Sequence, residues 1–518
     1  MKPDNLNKFW RNTGFSLFQQ ISTMLLAIAL LPYMLWQLGA ERYGLWLILQ
    51  IFNILGLAYL AEMGFHGAIV RRLVRFHAEK DIVGFRRLLW TGFAMFVFIG
   101  MLTSILVIVF AQTVFVDWFA IEPQFADEMK LALTIYAAGL AIGFPALILK
   151  GFFSAQHDVA TQKIWETIDR VLFAIGIVGL LFFSDNLAYM ALLEQAIALA
   201  LMMAFFIVAA KRYSAWFEFH FKDVRFANLR GTLKLSGAVF VTNTTNQLSI
   251  RAPEALIGGI LGPVSLAHYQ IAVRLPRVLK TFQGAFNAAV LPYVASIDGR
   301  SEAEARMKSD FTLRGLRLNY IIITPLSVFL IVFAPRILSI WVGSEYEFLG
   351  TFTALYAVWI LTSVTVTFAT ATLMRPEHFQ RMISRNLVIS GLFVAVLLYG
   401  LKPYGLSIAF PAIVVSGMAS AISALLAFKK ANELSTRAIV GSVVIGPILV
   451  SGAIGAILFV IASATFELSG LIAGTAMTLL SGFGYLAVLY FWILRNDERA
   501  FLKKLVTRGV AAVSQILH

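Results

Sequence analysis

The sequence contains no cysteine, which excludes disulfide cross-links, thiolate metal sites and cysteine nucleophiles together. Its seven histidines are scattered, none in an HExxH or comparable spacing, so neither a metal nor any other cofactor is expected. Charge is scarce too. Asp, Glu, Lys and Arg make up 14% of the 518 residues, against 59% hydrophobic and 13% aromatic. Soluble domains carry about 25% charged residues, so a soluble globular protein is excluded. Apolar length stands where the charge is missing. A bilayer core of roughly 30 Å needs about 20 mostly apolar residues per spanning helix, and the chain reads as a polytopic helical membrane protein. The polar residues 1–10 run into the first apolar stretch without a small-residue cleavage site, so that stretch is expected to stay as a span.

Between charged or turn-rich breaks the sequence predicts fourteen spans, at 12–36, 44–66, 88–112, 129–149, 164–183, 187–210, 235–260, 265–295, 318–341, 350–373, 386–401, 405–428, 438–462 and 469–494. An even number puts both termini on one side. That terminus and the alternate loops hold 33 Lys and Arg residues, whereas the opposite loops hold only Arg42, Lys130 and Lys402. Basic residues are retained inside, so both termini of this multi-pass protein are expected in the cytoplasm. The net charge of +14 is then mostly a topology signal, and nucleic acid is not an expected partner. The loops on the other face are short. The longest, 113–128, carries Asp117, Glu122, Asp127 and Glu128 and is too small for a catalytic domain.

The largest inward loop, 211–234, alternates Phe217, Phe219 and Phe221 with polar residues and reads as a linker on the membrane surface. It suggests a division into a six-helix lobe (1–210), the linker (211–234), a second six-helix lobe (235–437), an additional helix pair (438–494) and a tail (495–518). A self-match at an offset of 223 residues fits two duplicated lobes. Leu38-Gly39 and Leu261-Gly262 both occupy the outward turn between the first and second helices of a lobe, and Leu401 with Tyr404-Gly405-Leu406 is a third echo. The fold class expected is all-α, with fourteen transmembrane helices as two six-helix lobes around a central cavity plus a C-terminal pair.

Six basic residues fall inside spans: Arg170, Arg251, Arg274, Arg277, Lys280 and Arg336. Each charge would cost about 2.5–3.5 kcal/mol at a helix centre on insertion scales, so these side chains should face protein or water. Arg274, Arg277 and Lys280 recur at intervals of three and cover an arc of about 120° on one helix. They form a basic stripe. With Arg251, Glu254 and Asn246 on the preceding helix, a cationic, amide-bearing wall suits a phosphate, because arginine offers a planar fork of donors. The plainer alternative is that Arg251 and Glu254 neutralise each other. Glu166, Asp169 and Arg170 read as an intrahelical i,i+4 pair near the cytoplasmic face, and Arg336 as a snorkelling side chain. Glu62, one turn from His66, and Glu194 are the acids that could carry an ion or proton for coupling; the alternative is a satisfied structural acid. Pro253 and Pro276 flank the charges, where kinks would open a site.

The run LGAERYGLWLILQIFNILGLAYLAEMGFHGAIVRRL (38–73) and the run LGPVSLAHYQIAVRLPRVLKTFQGAFNAAVLPYVA (261–295) resemble the polysaccharide transporter family, within the superfamily of multidrug, oligosaccharidyl-lipid and polysaccharide exporters. The resemblance implies two lobes around a cavity lined by helices one, two, seven and eight, working by alternating access. It implies a flippase or exporter moving undecaprenyl-diphosphate-linked sugar units outward, with the lipid-linked oligosaccharide, the bilayer and a polysaccharide assembly machinery as partners. Arg251, Arg274 and Arg277 would then line the cavity. Relatives that flip the peptidoglycan precursor carry charges on helix one, where this chain has only Gln19 and Gln20, which argues against that cargo. Two other classes remain open. A cation-coupled multidrug exporter would concentrate acids in its cavity, and a membrane glycosyltransferase or polymerase would want catalytic acids in a substantial outward loop.

Overall fold

An apolar segment in a bilayer has to satisfy its backbone N–H and C=O groups internally, which a helix does within itself. The computed structural model is accordingly helical, with no strand among its described residues, which are 3–53, 64–225, 229–295, 302–372, 376–432, 439–440, 448–450, 452–457, 459–461, 464 and 499. In order these form α1 (Pro3–Ile51), α2 (Phe65–Glu79), α3 (Ile82–Thr113), α4 (Phe115–Trp118), α5 (Pro123–Ala155), α6 (Val159–Phe183), α7 (Leu187–Arg212), α8 (Ser214–Phe217), α9 (Arg230–Ala295), α10 (Glu302–Trp341), α11 (Gly350–Thr372), α12 (Pro376–Tyr404) and α13 (Leu406–Asn432). A further short apolar helix covers Ile448–Ile461. Among the described residues nine helical segments are long and apolar enough to cross a membrane. The fold class is that of an all-α, polytopic membrane protein, as expected; residues 54–63 of the second expected span, parts of the thirteenth and all of the last, 469–494, lie outside the described residues.

Two of the nine segments, Gly14–Ile51 and Arg251–Gly284, each run over parts of two expected spans. They are interrupted at Gly39 (φ 68°, ψ 173°) and at Gly262 (φ 82°, ψ −180°). These dihedrals belong to a region that essentially only glycine adopts. The two positions matched at the 223-residue offset therefore make the same break, which is what a duplicated helix pair requires. The third echo is a different turn: Gly405 has φ 58° and its N–H caps the Leu401 carbonyl at 2.8 Å. At Pro253 and Pro276 α9 stays helical, so the departure from helical geometry comes at Gly262 and not at the prolines.

Packing divides the chain into two compact units, one running through Ala267 and one from His268. The division expected at 211–234 follows the repeat, whereas packing places the whole seventh span, 235–260, in the first unit. A Cβ placed on Gly44 would fall 2.0 Å from the Pro263 carbonyl oxygen, so only glycine fits there. Gly258 likewise lies against Phe119 and Ile48, and Gly259 against Trp118. Arg42 fastens the same face, donating to Glu128 Oε1 at 2.8 Å and to the Asp185 carbonyl at 2.8 Å. That accounts for one of the few basic residues of the outer loops.

In the first unit α3 packs on α5, α5 on α7 and α1 on α6; in the second α10 packs on α11, and α13 on α11 and α12. At the end of the first unit that carries the linker lies an aromatic core in which Phe85, Phe96, Phe144, Phe152, Phe153, Phe205 and Phe217 are buried. The linker is pinned to it. Glu218 pairs with Arg86 and accepts Trp90 Nε1 on its carbonyl at 3.0 Å, and Asp223 pairs with Arg87 at 3.5 Å. The expected alternation holds in part: Phe217 is buried where it ends α8, whereas Phe219 and Phe221 are exposed. On α3, Phe98, Met101, Ile105 and Val109 are exposed at helical spacing, the pattern of a face turned to lipid.

Candidate functional site

The basic stripe lies on α9 within the second unit, and the residues that seat it come from α9 itself and from α11. Arg277 Nη1 donates to Gln270 Oε1 at 3.0 Å, and its Nε reaches the Tyr356 hydroxyl at 3.5 Å. The guanidinium also stands 6.0 Å from the Tyr356 ring centre, and Lys280 Nζ stands 4.6 Å over the Trp359 ring. Tyr356 and Trp359 are one turn apart on α11, as Arg277 and Lys280 are on α9, so two aromatic faces match two cations in register. Trp359 is itself held by α13. A Cβ on Gly417 would fall 2.4 Å from Trp359 Cδ1 and 2.5 Å from Thr362 Oγ1, so this glycine makes room for the indole. Arg274 lies one turn before Arg277 and is half-buried. No Asp or Glu occurs in any expected span from residue 265 onward, so within these spans the cations sit among amides, hydroxyls and rings.

Further along α9 the polar residues are buried and pair across helices. Gln283 Nε2 donates to the Ser363 carbonyl at 3.3 Å, Asn319 Nδ2 donates to Asn287 Oδ1 at 2.8 Å, and the Tyr320 and Thr365 hydroxyls are hydrogen-bonded. This band ties α9, α10 and α11 together below the cations.

The other expected site residues divide between the units. Arg251 Nη1 and Glu254 Oε2 form an ion pair at 3.0 Å in the first unit, with Glu254 almost fully buried, as the neutralisation reading expects. Gln19 Nε2 donates to Thr23 Oγ1 at 3.1 Å on its own helix. Glu62 lies outside the described residues, and so does the side chain of Asn246. Glu166 pairs with Lys163 at 2.7 Å, one turn earlier, and Arg170 with Asp169 at 3.8 Å, so the expected i,i+4 pair of Glu166 with Arg170 is replaced by these two contacts, with Lys163 the missed partner. Arg336 is exposed near the end of α10. Glu194 on α7 accepts from Gln50 Nε2 and Asn53 Nδ2, each at 2.8 Å, and from the Tyr136 hydroxyl. Sequence reasoning missed Gln270, Tyr356 and Trp359 around the cations, and Gln50, Asn53 and Tyr136 around the acid. One signal was available: Gln50 and Asn53 are the polar interruptions of the apolar run LWLILQIFNIL.

Solved transporters have this architecture. The chain superposes on a structure of the lipid II flippase MurJ in an inward closed conformation with a TM-score of 0.69, at 14% identity, covering 93% of this chain and 99% of that one. It superposes on an inward-facing multidrug resistance MATE family transporter of the MOP superfamily with a TM-score of 0.60, at 14% identity, over 82% and 94% of the two chains. In fold it is thus a multi-pass membrane protein of the flippase and multidrug-exporter type. In sequence, a putative O-antigen transporter of Shigella flexneri is 20% identical over 347 residues, 65% of this chain and 77% of that protein. The profile of the polysaccharide biosynthesis protein family matches residues 9–298, and the chain belongs to that family.

Proposed function

We propose that the protein moves a lipid-linked oligosaccharide, carried on undecaprenyl diphosphate, from the cytoplasmic to the outer leaflet of a bacterial inner membrane by alternating access. The observation that carries this reading is the seating of Arg277 and Lys280, one turn apart, on an amide, a phenol and an indole face. Ring faces and amide or phenol oxygens fix the direction in which these cations point, and each cation can add a charge-assisted contact to an arriving diphosphate. Arg274 extends the stripe by one turn. The hydrophilic headgroup would follow these residues while the polyprenyl tail stays in lipid. A cationic drug is the wrong ligand for such a surface, which repels it.

Cells lacking the protein should accumulate a chemically complete lipid-linked oligosaccharide on the cytoplasmic leaflet. An intermediate lacking a sugar would point to a glycosyltransferase, and single units already on the outer leaflet would point to a polymerase. The orientation is tested separately. Because the chain has no cysteine, single cysteines at Asp117, Glu345 and Gln380 can be labelled without background. Labelling from outside is expected at Asp117 and Glu345 and not at Gln380; the reverse pattern would invert the topology.

A further inference from the structure

The linker leaves α8 at Phe217 and is fastened along the start of α3. Arg86 pairs with Glu218, whose carbonyl accepts Trp90 Nε1 at 3.0 Å, and Arg87 pairs with Asp223 at 3.5 Å. The buried Thr91 hydroxyl donates to the Asp223 carbonyl at 3.2 Å and accepts the Arg225 N–H at 3.2 Å. Between these ties the chain makes one short helical turn, Phe221–Asp223. The backbone of the segment is thus set, yet two of its rings are left uncovered: Phe219 is 47% exposed and Phe221 86%.

Where these rings stand decides what can cover them. Phe221 meets Phe219 edge-to-face at 5.1 Å between ring centres, and Phe219 meets Trp90 in the same way at 4.8 Å. Trp90 in turn lies 6.2 Å from Phe206 on α7, which is exposed together with Met203 and Ile207 at helical spacing. The aromatic row therefore continues a lipid-facing side of α7, at the end of that helix where its apolar run gives way to Lys211 and Arg212. Charge at this end of the linker is one-sided. Its acids, Glu218 and Asp223, are taken up by Arg86 and Arg87, with His220 standing 3.8 and 3.9 Å from the same two carboxylates. Lys222 and Arg225 are exposed, and no ion pair engages either side chain among the described residues.

We propose that residues 218–225 are a binding site for an anionic phospholipid of the leaflet they meet, with Phe219 and Phe221 entering the boundary between headgroups and acyl chains and Lys222 and Arg225 holding the phosphate. An apolar edge beside lysine and arginine binds a bilayer surface more strongly when its lipids are acidic. Arg225 can add a bidentate hydrogen bond to the phosphate. A zwitterionic lipid offers the same phosphate but brings its own cation, which these side chains repel. A nucleic acid or an acidic protein offers the charge without an acyl layer for Phe221. Because the linker joins α7 to α9, a lipid held there fixes the depth of the first unit in the bilayer. The site does not depend on what the protein transports.

The test uses the purified full-length protein in nanodiscs of phosphatidylcholine, with and without phosphatidylglycerol. A nitroxide attached at Phe221→Cys should be more accessible to oxygen, which concentrates in lipid, than to a water-soluble nickel chelate; one at Glu79→Cys, at the exposed end of α2, should show the reverse. With a photoactivatable phosphatidylglycerol, cross-links should map to 218–225, and excess phosphatidylglycerol should suppress them where excess phosphatidylcholine does not. The double variant Lys222→Gln, Arg225→Gln should cross-link several-fold less, and Lys222→Arg as much as wild type. A nitroxide at Phe221→Cys open to the nickel chelate would overturn the proposal, and so would unchanged cross-linking in the double variant. Suppression by undecaprenyl diphosphate but not by phosphatidylglycerol would also overturn it, giving the two cations to the cargo lipid. Should the double variant fail to assemble, the nitroxide and the competition in wild type decide the matter without it. None of these readouts involves transport, so the flippase reading stands or falls on its own.

Discussion

Each compact unit holds charge inside a span, and each meets it with neutral groups, but the signs are opposite. The first unit presents donors to an acid: two side-chain amides and a phenol point at Glu194. The second presents an acceptor and ring faces to cations, with Gln270 and Tyr356 at Arg277 and Trp359 at Lys280. Where the first unit has a basic residue beside a buried acid, at Arg251 and Glu254, the two pair directly. The lesson is that a charge inside a span can be met by a counter-charge, as at Arg251 and Glu254, or be oriented by dipoles and rings, as at Glu194 and Lys280.

The largest expected effect bears on the cationic side. Arg277→Ala should abolish surface polysaccharide while membrane abundance stays normal, Arg277→Lys should restore only part because it lacks the bidentate fork, and Arg277→Glu should be worse than alanine. Loss of the protein itself in Arg277→Ala, measured by quantitative blot, would mark the residue as structural and break the comparison.

The next effect bears on the duplication. Gly39→Ala and Gly262→Ala each force a side chain into dihedrals suited to glycine, a strain of about 1–3 kcal/mol, and should lower abundance and detergent-solubilised melting temperature to a similar degree. Gly284→Ala, at a helical position with nothing within 4 Å, is the control and should change neither. A large effect at only one of the two breaks would mean that the matched turns are not equivalent.

A smaller effect sharpens the role of the aromatic seats. Gly417→Val should push the Trp359 ring aside and reduce export several-fold without removing any charge, whereas Trp359→Phe should reduce it less. Smallest is the outer clamp. Arg42→Ala removes a partly buried pair with Glu128 and should lower thermal stability by about 1–2 kcal/mol, with export per molecule unchanged.

Much of this was legible in the sequence for physical reasons. Long apolar runs fix spans because the bilayer allows no other regular backbone for them, and Arg277 and Lys280 share a face because three residues make nearly one turn. Gly39 and Gly262 were visible as turns, while their shared dihedrals were not, since many conformations join two helices. The seats were hidden. Tyr356 lies 79 residues from Arg277, and Gln50 lies 144 from Glu194, and no local pattern records a pairing across helices. The partner of Glu166 was missed for a narrower reason: Lys163 and Arg170 are both within reach on a helix surface, and side-chain direction favours the residue one turn earlier in this case.

The most direct measurement of the central claim is translocation of an undecaprenyl-diphosphate-linked oligosaccharide in proteoliposomes containing the purified protein. Wild type should move the headgroup from one leaflet to the other, and the double variant Arg274→Ala, Arg277→Ala, reconstituted at equal density, should not. Translocation at the wild-type rate by that double variant would contradict the account.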